Sequence, residues 1–98
     1  MRYSVEELKT IISPIASAHK VDRVSVFGSY SKGTANDASD VDLLVSKGEM
    51  QTLFQLCGFR LALEDALNIP VDIVTETSMD QDFLNGIRKD RVVLYQRA

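Results

Sequence analysis

Hydrophobic residues recur along this chain with two periods. Val5, Leu8, Ile11, Ile12, Ile15 and Ala16 follow helical spacing. Ser4 lies three residues ahead of Glu7, the spacing of a reciprocal capping box at a helix start. Pro14 falls inside this pattern and is expected to kink or shorten the helix, because it lacks an N–H and its ring crowds the preceding turn. Val21, Val24 and Val26 alternate with polar residues and predict a strand from Val21 to Phe27, with a break of phase at Asp22 and Arg23. Gly28 to Asp40 is rich in Gly, Ser, Thr, Asn and Asp and reads as loop, with room for one helical turn after Ser29. Val41 to Val45 predicts a short strand. Glu49 to Leu67 predicts a long helix with Leu53, Leu56, Phe59, Leu63 and Leu67 on or near one stripe, ended by Asn68-Ile69-Pro70. Val71 to Val74 reads as another buried strand, Ser78 with Gln81 as the start of a last helix, and Arg91 to Tyr95 as a final edge strand. Helices and strands alternate, so the fold class is α/β (α+β). No linker, repeat or low-complexity tract divides residues 1–98, so a single domain is expected.

Composition narrows the function. The chain has 98 residues, 45% of them hydrophobic and 26% charged, which suits one soluble globular domain and excludes a disordered tail or a rod. No apolar run approaches the roughly 18 residues of a membrane helix, and the acidic N-terminal stretch shows no export signal, so a cytoplasmic location is expected. Eleven basic residues against 14 acidic give a net charge of −3, without the excess of cations that broad nucleic-acid binding needs. One cysteine, Cys57, forbids an internal disulfide, and one histidine, His19, forbids a multi-histidine metal centre.

The informative stretch is Gly28-Ser29-Tyr30-Ser31-Lys32-Gly33, followed by Ser39-Asp40-Val41-Asp42-Leu43-Leu44-Val45. Asp40 and Asp42 are two apart at the start of an apolar strand, so their side chains share a face with Cα atoms about 7 Å apart. A cation between them eases the mutual repulsion, and oxygen-only ligation suits Mg²⁺, which combines one or two carboxylates with substrate phosphates; Mn²⁺ accepts the same ligands. Asp72 is a charge in an apolar strand and should have a partner. If that strand lies beside the Val41 strand, three carboxylates can hold two ions about 3.5–4 Å apart for in-line phosphoryl displacement. Gly28 allows a sharp turn. Ser29 offers a hydroxyl and an amide to phosphate, Gly33 permits close backbone approach, and Lys32 adds positive charge. A P-loop is excluded because Gly33 is followed by Thr34 and Ala35 rather than lysine. A nucleophile elbow and a dinucleotide fingerprint fail at Ser29 and Tyr30 respectively.

Gly-Ser, a glycine four residues after that serine, and Ser-Asp-x-Asp-Leu-x-Val together resemble the DNA polymerase β-like nucleotidyltransferase superfamily. The likeness is strongest to its minimal nucleotidyltransferases, which are often encoded beside a HEPN-domain partner and include the MntA-like antitoxins. It covers most of the chain. The resemblance implies a nucleotidyltransferase fold with a small mixed sheet of about four strands against helices. It also implies metal binding by Asp40, Asp42 and Asp72, and phosphate binding by Gly28 and Ser29, with Lys32 and Gly33 completing the loop. Family loops often read Gly-Ser-Arg-Ala-Arg-Gly. Here Lys32 keeps a charge without the guanidinium fork, and Tyr30 carries none.

The implied reaction is Mg²⁺-dependent transfer of a nucleoside monophosphate, AMP from ATP, to a hydroxyl. Larger members carry a further domain that grips the acceptor, and a chain of this length is expected to rely on a second protein or a second subunit. The resemblance implies a HEPN-type toxin as that second protein, either adenylylated on a tyrosine or neutralised by binding. The alternatives are a module that neutralises a HEPN partner by binding alone, and a small-molecule, antibiotic-type transferase acting as a dimer. Each residue also has a plainer reading: Asp40 and Asp42 as solvating loop-end residues, Asp72 as an edge-strand charge facing water, and Ser29 as a helix cap. Lys32 reads equally as a surface charge. Tyr30 reads as packing or surface, Cys57 as core or semi-buried, and His19 as a surface residue at a helix end. Arg88, Lys89 and Arg91 read as a solvated helix end or as a partner or nucleotide contact.

Overall fold

The computed structural model describes residues 3–28, 30, 40–49, 52–76 and 81–97. Helix α1 spans Val5–Ala18 and begins with the capping box: the Ser4 Oγ accepts from the Glu7 N–H at 3.1 Å, and the Glu7 carboxylate accepts from the Ser4 N–H at 2.9 Å. Pro14 does not shorten it. Leu8, Ile12 and Ala16 are fully buried, and the Ser13 hydroxyl donates to the Leu94 carbonyl, so packing holds the helix together. Pro14 itself is exposed, where water can satisfy the carbonyl it leaves unbonded.

Strand β1 is Arg23–Phe27 and β2 is Val41–Ser46. Helix α2 is Leu53–Leu67, β3 is Val71–Thr75, α3 is Gln81–Asp90 and β4 is Val92–Gln96. β1 starts two residues later than the valine pattern suggests, because Lys20 takes a left-handed conformation and Asp22 bends the chain. The long helix starts at Leu53 rather than Glu49. Thr52 and Gln55 form a second capping box there, while Glu49 lies in a turn and pairs with Arg97 at 2.7 Å. α2 stops at Asn68-Ile69-Pro70 as expected, and Asn68 takes the left-handed conformation there. Ser78 as a cap, and the helical turn after Ser29, fall largely outside the described residues.

The strands form one sheet in the order β3-β2-β1-β4. β2 and β3 run parallel, and the other neighbours are antiparallel, so the sheet is mixed. β4 is an edge strand, as expected. β3 is the other edge rather than a buried strand, and only Val71 in it is fully covered. Alternation sends Val24, Val26, Leu43 and Val45 to one face, where they pack with Leu8, Ile12, Phe59, Leu63 and Leu67 of α1 and α2. Leu44 points to the opposite face and packs with Leu84 and Ile87 of α3, flanked by Phe27 and Val74. Leu53 belongs to neither layer and is 74% exposed. Cys57 is exposed as well, which corrects its reading as a core or semi-buried residue. His19 caps α1 and rests against the Phe59 ring, 5.3 Å between centroids, so it is only partly on the surface.

Arg88 and Arg91 are not a free solvated end. Glu76, just past β3, accepts from Arg23 Nη2 with both oxygens at 2.8 and 2.9 Å, and Arg88 and Arg91 approach the same carboxylate at 3.6 and 3.5 Å. This cluster ties β1 and β3 to the end of α3. No helix among the described residues is long and apolar enough to cross a membrane.

Candidate active site

Strand register builds the site. Phe27 of β1 pairs with Asp42 of β2, and Asp42 pairs with Asp72 of β3. The two aspartates therefore occupy one register position on neighbouring parallel strands, and their side chains leave the same face of the sheet. Asp40, two residues before Asp42, is exposed at the entrance to β2. Asp72 is exposed too, so burial is not what demands a partner for it; its neighbour across the strands is.

Asp42 is half-buried, and its carboxyl is pushed above the ordinary aspartate range. Desolvation is the largest cause, followed by the negative charges of Asp72 and then Asp40. The site thus concentrates negative charge at a place partly withdrawn from water. Hard oxygen donors in this arrangement suit a divalent cation. Among the described residues, however, no three His, Cys, Asp or Glu side chains converge into a complete metal cage. A cation here would need water or substrate oxygens to complete its shell, which is how Mg²⁺ is usually held.

Gly28 closes the site on the β1 side. It has φ +72°, and a Cβ there would fall 2.6 Å from Oδ2 of Asp42. The glycine is needed both for the turn and for the space. Ser29, Lys32 and Gly33 lie outside the described residues. Tyr30 is buried in the main core, in keeping with its reading as a packing residue.

On the β3 side, Asp42 and Asp72 open into a groove of about 600 Å³. Leu56, Cys57 and Arg60 of α2 line it together with Ile73 and Val74. The α2 wall is absent from the sequence reading. Its one available signal is that Arg60 is the only basic residue of that helix, amid apolar neighbours.

A mixed sheet with one carboxylate at the entrance to a strand, a second within it, a third on its parallel neighbour and a glycine turn against them agrees with the resemblance to polymerase β-type nucleotidyltransferases. The chain belongs to that family: the family model described as "Polymerase beta, Nucleotidyltransferase" matches residues 9–98. Its relatives narrow the class. A Methanocaldococcus jannaschii protein, provisionally named a protein adenylyltransferase, is 36% identical over 90 residues, covering 92% of this chain and 91% of the relative. The protein adenylyltransferase MntA of Thermococcus cleftensis is 31% identical over 97 residues, covering 91% and 94%. A solved structure provisionally described as a minimal nucleotidyltransferase superposes with a TM-score of 0.80 at 32% identity, covering 93% of this chain and 96% of that one. A chain of a toxin–antitoxin complex crystallised with AMP-PNP shares the fold, with a TM-score of 0.78 at 23% identity, covering 91% and 73%. The resemblance seen in the glycine loop and paired aspartates, and the fold it implies, are thereby confirmed, and the chain is a nucleotidyltransferase.

Proposed function

We propose that this protein transfers a nucleoside monophosphate, AMP from ATP, to a hydroxyl on a HEPN-domain partner, and so acts as the antitoxin of a pair. The carrying observation is the shared register of Asp42 and Asp72 with Gly28 pressed against Asp42. The relatives' name, protein adenylyltransferase, supports a protein acceptor, and a solved neighbour described as an AMPylated HEPN toxin in complex with an MNT antitoxin supports the HEPN class.

Asp40 and Asp42 would hold Mg²⁺, with Asp72 contributing to a second ion; bound there, the metal supplies charge neutralisation and orientation for the triphosphate. Gly28, together with Ser29, Lys32 and Gly33, receives the β- and γ-phosphates. The acceptor oxygen bonds to the α-phosphorus, the bond from that phosphorus to pyrophosphate breaks, and the hydroxyl proton passes to Asp72 or to water. Positioning and electrostatics provide the acceleration.

The test incubates the protein with α-labelled ATP, Mg²⁺ and a purified HEPN-domain protein, in parallel with Asp40→Asn and Asp42→Asn. Label on the HEPN protein that requires both aspartates is the expected result. Complex formation without label would replace transfer by neutralisation through binding. Label on an aminoglycoside instead would assign a small-molecule transferase.

A further inference from the structure

In-line displacement fixes the direction from which the acceptor arrives. The attacking oxygen must lie opposite the leaving group across the α-phosphorus. On the proposed reading, which this inference rests on, pyrophosphate leaves on the Gly28 side, at the end of β1. Across the sheet the order is β1, β2, β3, so the opposite direction leads past Asp42 and Asp72 to the groove between β3 and α2.

The far wall of that groove has two properties. Arg60 lines it, and among the described residues it makes no ion pair or hydrogen bond. Cys57, which lines the groove, also belongs to an apolar face of α2. Leu53, Phe54, Cys57 and Leu61 recur there at helical spacing, with Phe54 90% and Leu61 58% exposed. Gly58 follows Phe54 by one turn and borders a separate hollow with His19 and Gln55, and a Cβ added to it would meet nothing within 4 Å. A mid-helix glycine costs stability relative to alanine, and no neighbour among the described residues requires it. Exposed aromatic and aliphatic side chains next to a reactive groove, with an arginine that is unpaired among the described residues, are features of a protein-docking surface.

We propose that the acceptor protein docks on the exposed face of α2, seating apolar side chains against Phe54 and Leu61 and pairing an acidic group with Arg60, so that its hydroxyl enters over the β3 edge. Arg60 is a specificity-determining residue in this arrangement. It selects the acceptor and leaves the nucleotide to the carboxylates and the glycine loop.

The experiment compares Phe54→Asp, Arg60→Glu and Arg60→Lys with the unmutated protein, each checked for an unchanged thermal unfolding profile. Three quantities are read: equilibrium binding of Mg²⁺-ATP, affinity for the HEPN protein in the absence of ATP, and the KM and kcat of label transfer to it. The expected result is at least roughly a tenfold loss of HEPN affinity for Phe54→Asp and Arg60→Glu. The KM for the acceptor should rise to match, Arg60→Lys should recover part of the loss, and Mg²⁺-ATP binding should hold within about twofold. Because HEPN affinity is read without turnover, the docking surface is tested even if the transfer reading fails. Unchanged HEPN affinity in both variants overturns the proposal. So does a parallel loss of Mg²⁺-ATP binding in Arg60→Glu, which would make Arg60 a nucleotide ligand. A Phe54→Asp change from dimer to monomer on gel filtration with transfer intact would assign the face to a second copy of this chain, and would overturn it likewise. Alkylation of Cys57, the only cysteine, with a bulky maleimide gives an independent reading: it should block HEPN binding while Mg²⁺-ATP still binds, with Cys57→Ser as the insensitive control.

Discussion

Gly28 and Asp42 meet with no room for another atom: a Cβ on residue 28 would fall 2.6 Å from the Asp42 Oδ2. Gly28→Ala therefore carries two penalties. Its φ of +72° is costly for an L-residue, by about 1–2 kcal/mol, and the methyl group must displace the carboxylate. The expected outcome is a modest loss of stability in a denaturant titration and a much larger loss of transfer activity. A variant with lowered stability but normal turnover would show that the position of Asp42 tolerates displacement.

Asp42 has a pH signature. Its carboxyl is raised by desolvation, then by Asp72 and Asp40, so the folded protein holds that proton more tightly than the unfolded chain does. The stabilisation is fully present below the ordinary carboxylate value of 3.8 and is lost as pH rises through the higher folded value. Above that range the ionised Asp42 opposes folding. Asp42→Asn, without metal and in the presence of EDTA, is expected to melt higher than the unmutated protein at pH 7. The gap should shrink as the pH falls toward 3.8. A gap of the same size at both ends of the titration would contradict this. Added Mg²⁺ should raise the Tm of the unmutated protein more than that of the variant.

Glu76→Gln tests the opposite feature, a carboxylate surrounded by cations. The Glu76 side chain is 13% exposed and accepts from Arg23, with Arg88 and Arg91 close by. Removing its charge leaves partly buried guanidinium groups without compensation, at a cost of roughly 2–3 kcal/mol by urea unfolding. Mg²⁺-ATP binding should persist in conditions where the variant is folded, because Glu76 does not line the groove beside Asp42 and Asp72.

Tyr30→Phe should be neutral or slightly stabilising. The Tyr30 hydroxyl is buried with no hydrogen-bond partner among the described residues, so deleting it removes a desolvated group worth about 1 kcal/mol rather than a bond. A large loss in thermal unfolding would reveal an interaction of that hydroxyl that the folded core does not show.

Gly58→Ala should stabilise the free protein by about 0.5–1 kcal/mol, because a methyl group meets nothing there and helix propensity rises. The measurement is the denaturant midpoint of the isolated chain.

Strands with period-two valines, the Ser4–Glu7 box and the Asn68 stop were legible because each is a local rule acting on neighbouring residues. The pairing of Asp42 with Asp72 was legible only conditionally, since it depends on which strands lie side by side. Failures of the reading came where tertiary context outweighed local pattern. Packing by Ile12 and Ala16 carried α1 past Pro14. Val71 to Val74 looks buried by composition, but the sheet order leaves β3 at an edge. Leu53 fits the apolar stripe of its helix by spacing alone, and the helix is apolar on too many sides for spacing to say which side faces inward. The arginines around Glu76 come from β1, from α3 and from the residue just after it, and no window of sequence brings them together.

The two register-paired aspartates sit on strands of different permanence. Asp42 is on an interior strand, between Val41 and Leu43, both wholly buried. Asp72 is on a boundary strand with one hydrogen-bonded neighbour. Amide exchange at Asp42 and Leu44, whose N–H groups point toward β1, should therefore follow global unfolding, whereas β3 can open by itself and release the Val41 amide that donates to the Pro70 carbonyl. One carboxylate is anchored as firmly as the molecule, and the other is free to breathe with whatever comes alongside it.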